Sequence, residues 1–539
     1  MLSSSKHEII KHKIIYFYFG STRKYEKEHL TELSKQLDDL LCLLKTSLCE
    51  CDDTIEILIY ISYFTLLFKL IVYTRDIYEG KGERELTYMM IDIWYRYFPI
   101  LAKHILEIIP ENYGSWKDLK YFCKYTKNEK YIDYCIELWN NQLQKDVNNK
   151  NISIVSKWIP REKSVFGWLF EKSAIDWYFR NYLTNNNANT NIKMNNIKKE
   201  YRFILSSLNR KLRTPQIKET ERKWSEIKPE EISVTTKSKQ YNTFMNINKD
   251  KNPDRIQCEY NFQKYFSEAK NIELWTRQFR ILRLFSLKTP TKWAELNEQK
   301  FTSCASSMRN GVNKKSFHLG EYIKNPHKQN QKYWDEIKKD ILHSKSRNHS
   351  EKYLLPIIDI SVIHPDEYMN AIGIGCMISE ISKIHNRIIV YDQQASWINL
   401  TGCDLETKIQ KIKEKTVLKG KSNLLSAIEL IKMAKPDKNL ILIIIGDLID
   451  TTKLFDSKES PKIIFWNIGS KIPKPLIMDN NIFISGTSSS IIKYLYENLE
   501  IITHDEMDSY SFIKNLVNQT RYLSVEDFFQ QKIINENIY

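Results

Sequence analysis

The sequence predicts an α-helical-repeat domain followed by a C-terminal α/β domain built on a doubly wound parallel sheet. Three observations carry that expectation. Apolar residues recur at three-to-four spacing through the N-terminal part of the chain, the signature of amphipathic helices. After Tyr353, short runs rich in β-branched residues alternate with helical segments, as parallel strands covered on both faces do. Gly and Pro number only 14 each in 539 residues, too few for a turn-crowded all-β chain or a fibrous one. At 42% hydrophobic and 12% aromatic, the chain has ample material for packed cores, which excludes wholesale disorder.

Residues 1–24 read as an N-terminal extension, charged and without the apolar core of a secretory leader. Residues 25–350 read as the helical array. HLTELSKQLDDLLCLLKTSL, ELTYMMIDIWYRYFPILAKHILEII, LKYFCKY and YIDYCIELWNNQL are successive helices with Gly and Pro confined to the joins, and the Asn-rich stretch at 185–196 is a polar loop. The run Ile57–Tyr73 approaches the roughly 17 to 25 residues of a membrane span. Lys69 interrupts it and Glu56 and Arg75 bracket it, so a buried helix explains it without a lysine in lipid, and no membrane partner is expected.

Residues 351–500 form the α/β domain. YLLPIIDIS, RIIVYDQQ, LILIIIGD, KIIFWNIG and NIFISGTS are its strands, most of them separated by helices, and its ligand edge lies at their carboxyl ends. Residues 501–539 add a helical extension.

Lys and Arg (81) exceed Asp and Glu (66), giving a net charge of +15 that points towards polyanionic partners. Basic residues are dense from Arg309 to Lys352. There Arg309, Lys314, Lys315, Lys328, Lys332, Lys338 and Lys339 could neutralise phosphates, and Trp334 could stack an unpaired base. A solvated interdomain connection anchored by its aromatics explains the same residues. Nine cysteines without a CxxC pair, and scattered histidines, argue against a disulfide framework or a zinc ribbon and for a reducing compartment, the cytoplasm. No nucleophile–base pair, spaced carboxylate dyad or cofactor loop is present, so the expectation is a non-enzymatic binding protein. GKGER lacks the GK[ST] and preceding strand of a phosphate loop.

At the strand ends stand Asp359 and Ser361, then Ser422 before a helix, then Asp447 after Gly446. Two carboxylates and two hydroxyls could supply oxygens to a hard divalent cation, or simply cap the following helices. This order resembles the metal-ion-dependent adhesion site of a von Willebrand A domain. Asp359 and Ser361 match its DxS, Ser422 stands for its Thr and Asp447 for its last acid. Ile363 occupies the position of the third hydroxyl, so the resemblance implies a degenerate site with weak Mg²⁺ binding at most and no required cofactor.

Further motifs extend the likeness. Thr74-Arg75-Asp76 with Gly80-Lys81-Gly82-Glu83-Arg84, then Tyr113-Gly114-Ser115-Trp116-Lys117-Asp118-Leu119, then Lys157-Trp158-Ile159-Pro160-Arg161-Glu162 resemble the RD…GGKGER, YGxWxDL and KWxPRE steps of a family of plants, fungi and large DNA viruses. Pro326-His327 with Trp334, Phe465-Trp466-Asn467 and Ser485-Gly486 continue the match. Read without the family, Gly80 and Gly82 allow a tight turn between helices, while Arg75, Asp76 and Arg84 form internal salt bridges.

That family is similar in layout to the Ro/telomerase-associated (TROVE) proteins, in which a HEAT-like ring of helical repeats precedes an A-type domain. Ro proteins bind structured RNAs outside the ring and single-stranded RNA ends within it. The resemblance implies RNA binding by the basic helical domain, with the A-type domain docking a protein partner. The alternative is a structural or adaptor protein, virion-associated if viral, that works through protein contacts alone. Location is then the host cytoplasm or the virion.

Overall fold

The computed structural model describes residues 2–22, 27–182, 194–212, 214–232, 236, 240–247, 250–268, 319, 323, 328–344, 353–361, 364–384, 386–415, 422–434, 440–447, 461–469, 481–503 and 507–536. These residues are mostly helical, with a mixed six-stranded sheet in the C-terminal part. The chain forms two compact units. Unit 1 joins residues 1–118 to residues 314–539, and unit 2 is residues 119–313.

Unit 1 begins with α1 (Leu2–Gly20), α2 (Lys27–Cys49), α3 (Thr54–Arg75), α4 (Glu85–Tyr97) and α5 (Pro99–Ile108). Asp53 caps α3 by accepting from the Ile55 amide, and Pro99 at the first turn of α5 breaks it from α4. Every residue of α3 from Tyr63 to Arg75 is buried. Phe64 and Phe68 pack on Trp94 of α4, and Phe68 also meets Phe529 of the Leu523–Glu536 helix. α3 is long and apolar enough to cross a membrane, yet its apolar face is spent on this core. Lys69 sits inside that core because its ammonium reaches Glu526 at 2.5 Å and Asn518 at 2.7 Å, satisfying a charge that could not otherwise be buried.

The sheet contains β1 (Tyr353–Asp359), β2 (Arg387–Tyr391), β3 (Ala395–Asn399), β4 (Leu440–Gly446), β5 (Lys462–Asn467) and β6 (Ile482–Ser485), in the order β3-β2-β1-β4-β5-β6. β1, β4, β5 and β6 are almost wholly buried, which is why they read as continuous apolar runs. All neighbours pair in parallel except β2 and β3, where Tyr391 faces Ala395 across a tight hairpin. The sheet is therefore mixed rather than parallel throughout, and it has one strand more than the sequence indicated.

Within unit 2, helices Glu129–Asn148, Gly167–Tyr182 and Met194–Lys211 pack about Tyr201, whose ring meets Phe170 and Trp177 and whose hydroxyl donates to Asn140. A second core gathers Ile227, Ile232, Phe244, Cys258 and Phe262.

The expected division at 350/351 is not where the units part. The N-terminal helix belongs to unit 1: α1 packs against β6, with Phe19 edge-on to Phe483. The Thr520–Tyr522 turn and the Leu523–Glu536 helix close over α3. α2 packs on both α1 and α3, and α4 on α3; β6 covers a further part of α1 and the Leu523–Glu536 helix a further part of α3, which ties both chain ends to one core.

Candidate functional site

From β1 the strand order runs one way to β2 and β3 and the other way to β4, β5 and β6, so the topological switch point lies between Asp359, the last residue of β1, and Asp447, just after the parallel neighbour β4. The structure brings the four expected residues to this edge. Asp359 is buried; its Oδ1 accepts from the Ser361 amide at 2.9 Å and the Ser361 hydroxyl at 2.6 Å, and its Oδ2 accepts from the Ser422 hydroxyl at 2.9 Å. Burial pushes the Asp359 carboxyl above its ordinary range. The serine bonds oppose that shift, and the negative charge of Asp447 adds to it. Gly446 is required here, because a Cβ would stand 2.6 Å from that of Asp359. Ile363 lies outside the described residues. Among those residues, no three His, Cys, Asp or Glu side chains gather as a metal cluster, so any cation would rest on two carboxylates and two hydroxyls.

Beyond Asp447 the edge is covered by the end of α1. Asn467, closing β5, donates to the Phe19 carbonyl at 3.0 Å, and the Thr22 hydroxyl donates to the Gly469 carbonyl. Lys81, from the GKGER turn, is 1% exposed and enters this junction. Its ammonium donates to Ser21 O at 2.6 Å and to Ser485 Oγ at 2.7 Å, while Ser485 Oγ donates to Tyr18 O at 2.5 Å. The Tyr18 ring lies 4.2 Å below the charge. Burial without a contacting carboxylate brings the lysine down to about 7. Two glycines with positive φ make the fit: Gly82 at 71° turns the chain after Lys81, and Gly486 at 112° follows Ser485.

Three further motif residues, Arg75, Asp76 and Asp118, also build structure, and Pro326 and His327 lie outside the described residues. Arg75 donates to Asp118 at 2.8 Å, with both side chains buried, and Tyr88 donates to the other carboxylate oxygen. Asp76 is held by Arg521 at 2.6 Å and Tyr522 at 2.9 Å. Arg75 and Asp76 are thus internally ion-paired, as the reading of the residues alone expects, whereas Arg84, the third residue it named, is exposed at the start of α4. The junction made by Lys81 was missed, since nothing in the sequence marks a lysine as buried.

The expected basic site fares differently. Trp334 is fully buried, donating from Nε1 to Glu380 at 2.8 Å, and so presents no face to a base. Lys338 pairs with the other oxygen of Glu380 at 3.1 Å, whereas Lys339 is exposed. Trp334 and Ile341 share one face of the Lys328–His343 helix, and that spacing was the available sign of burial. Arg309, Lys314 and Lys315, and the side chains of Lys328 and Lys332, lie outside the described residues. Charge is concentrated elsewhere: residues 119–313 hold 36 Lys and Arg against 20 Asp and Glu, and the rest of the chain is close to neutral.

No protein-family profile matches the chain. It is similar to an uncharacterized protein of Acanthamoeba polyphaga mimivirus, 22% identical over 480 residues that cover 79% of this chain and 76% of that protein.

Proposed function

We propose that this is a non-enzymatic RNA-binding protein in which unit 2 supplies the polyanion-binding surface and the sheet of unit 1 serves as an A-type partner-docking module. The carrying observation is the partition of charge, an excess of sixteen positive charges in unit 2 against a near-neutral unit 1. The TROVE-like and A-type readings rest on the ordered motifs, and a sheet with its acidic pair at the switch point supports the second of them. The likeness to a mimivirus protein favours a host-cytoplasmic or virion setting. Binding of the whole chain to RNA should weaken with salt, the log–log slope steepening by about 0.7 for each single-strand phosphate neutralised. RNA binding undetectable at low salt would remove this reading.

The adaptor reading is favoured by one observation, the gathering of Asp359, Ser361, Ser422 and Asp447 at the sheet edge. These residues would hold Mg²⁺ through four oxygens, with water completing the shell, and the cation would present a positive point to a partner's carboxylate. Titration of the whole chain with MgCl₂ should give weak, millimolar-range heat that Asp447→Asn abolishes. Absence of heat would leave Asp359 as a polar cap on its loop.

A further inference from the structure

We infer that single-stranded nucleic acid is read on one surface of unit 2, where the segment 161–168 lies beside the Met194–Lys211 helix; this rests on the RNA-binding reading above. Two ion pairs fix the arrangement: Arg202 donates to Glu162, and Lys198 meets Glu171 at 2.9 Å. Trp168 and Phe203 are left 42% and 70% exposed. Isolated open aromatics are common, but here two stand on neighbouring segments joined by ion pairs, each with a large part of its ring free. Arg161, Lys163 and Lys199 are exposed on the same two segments. Three carboxylates, Glu162, Glu171 and Glu200, share the neighbourhood, and the first two are engaged by Arg202 and Lys198.

The chemistry selects the partner. Net positive charge favours a polyanion, and flat exposed rings favour one whose bases are unpaired and free to stack. A duplex offers phosphates but hides its base faces, so it would use the lysines and not the rings. A protein partner rich in carboxylates would likewise leave Trp168 and Phe203 without a stacking role.

The test is fluorescence anisotropy of the whole chain with a labelled oligouridylate of about 20 nucleotides, its DNA counterpart and a duplex of equal length. Trp168→Ala with Phe203→Ala should weaken single-strand binding at least about tenfold, leaving the salt slope unchanged. Arg161→Gln, Lys163→Gln and Lys199→Gln together should flatten the slope by about 2. Unfolding midpoints measured alongside should stay close to wild type for the charge variant, and any loss from Trp168→Ala, whose ring is partly covered, is read separately from binding. Wild-type binding that neither variant alters would overturn this surface and leave the RNA reading standing. Duplex bound as tightly as single strands, with no loss in the aromatic variant, would overturn the stacking role. Failure of the wild type to bind any of the three probes would overturn the RNA reading itself.

Discussion

Lys81→Ala is expected to destabilise unit 1 by about 3–5 kcal/mol above about pH 8, since it empties a packed lysine stem and removes the donor to Ser21 O and Ser485 Oγ. The loss should depend on pH. In the folded chain this lysine titrates near 7, whereas unfolded it returns to the ordinary lysine range. Between those values the unfolded chain holds a proton that the folded chain has shed. Its contribution therefore raises stability as pH increases, by up to about 1.4 kcal/mol per pH unit, and the burial penalty is fully in force only below about pH 7. Urea melts of wild type and variant at pH 7, 8 and 9 should show the gap widening with pH. A constant gap would place the titration of Lys81 back in the ordinary range.

Asp118→Ala is expected to cost a similar amount, about 3–5 kcal/mol, by leaving Arg75 as a buried charge without its counter-ion. Tyr88 and the Ser115 amide would lose their acceptor in the same step. Asp118→Asn gives up the charge but keeps one carbonyl oxygen, enough for either Tyr88 or the Ser115 amide with Arg75 and not for both sides, so it should fall between wild type and the alanine variant. Denaturant midpoints of the three chains check the order. Equal midpoints for Asn and wild type would show that hydrogen bonding, not charge, holds Arg75.

Legibility in the sequence followed burial and locality. β1 and β4 announced themselves because every turn of the pleat is apolar, and the strand ends carrying Asp359 and Asp447 were located with them. β3 was overlooked: in ASWIN only Ile398 is buried, so the segment lacks both an apolar run and a clean alternation. Trp334 stayed open between stacking a base and anchoring the chain, because an aromatic among lysines looks alike whether it faces solvent or a core, and Glu380, its partner, is 46 residues away. Pairings such as Lys81 with Ser485, or Asp76 with Arg521, join residues more than 400 positions apart. No local pattern encodes such a partner, so the assignment of both chain ends to one unit was not readable from composition.

That two-part construction of unit 1 bears on how the protein is made. When residue 118 leaves the ribosome, α3 is complete, but Phe529, Glu526, Ser485 and the sheet that cover α1 and α3 have yet to be translated. At roughly 5–20 residues per second the wait runs to tens of seconds. During it, a strongly apolar helix with an unpaired Lys69 stands exposed while unit 2 emerges and folds between the two halves. The nascent chain thus has a prolonged need for chaperone cover. Truncation anywhere before the C-terminal helix would strand the N-terminal segment in that aggregation-prone form.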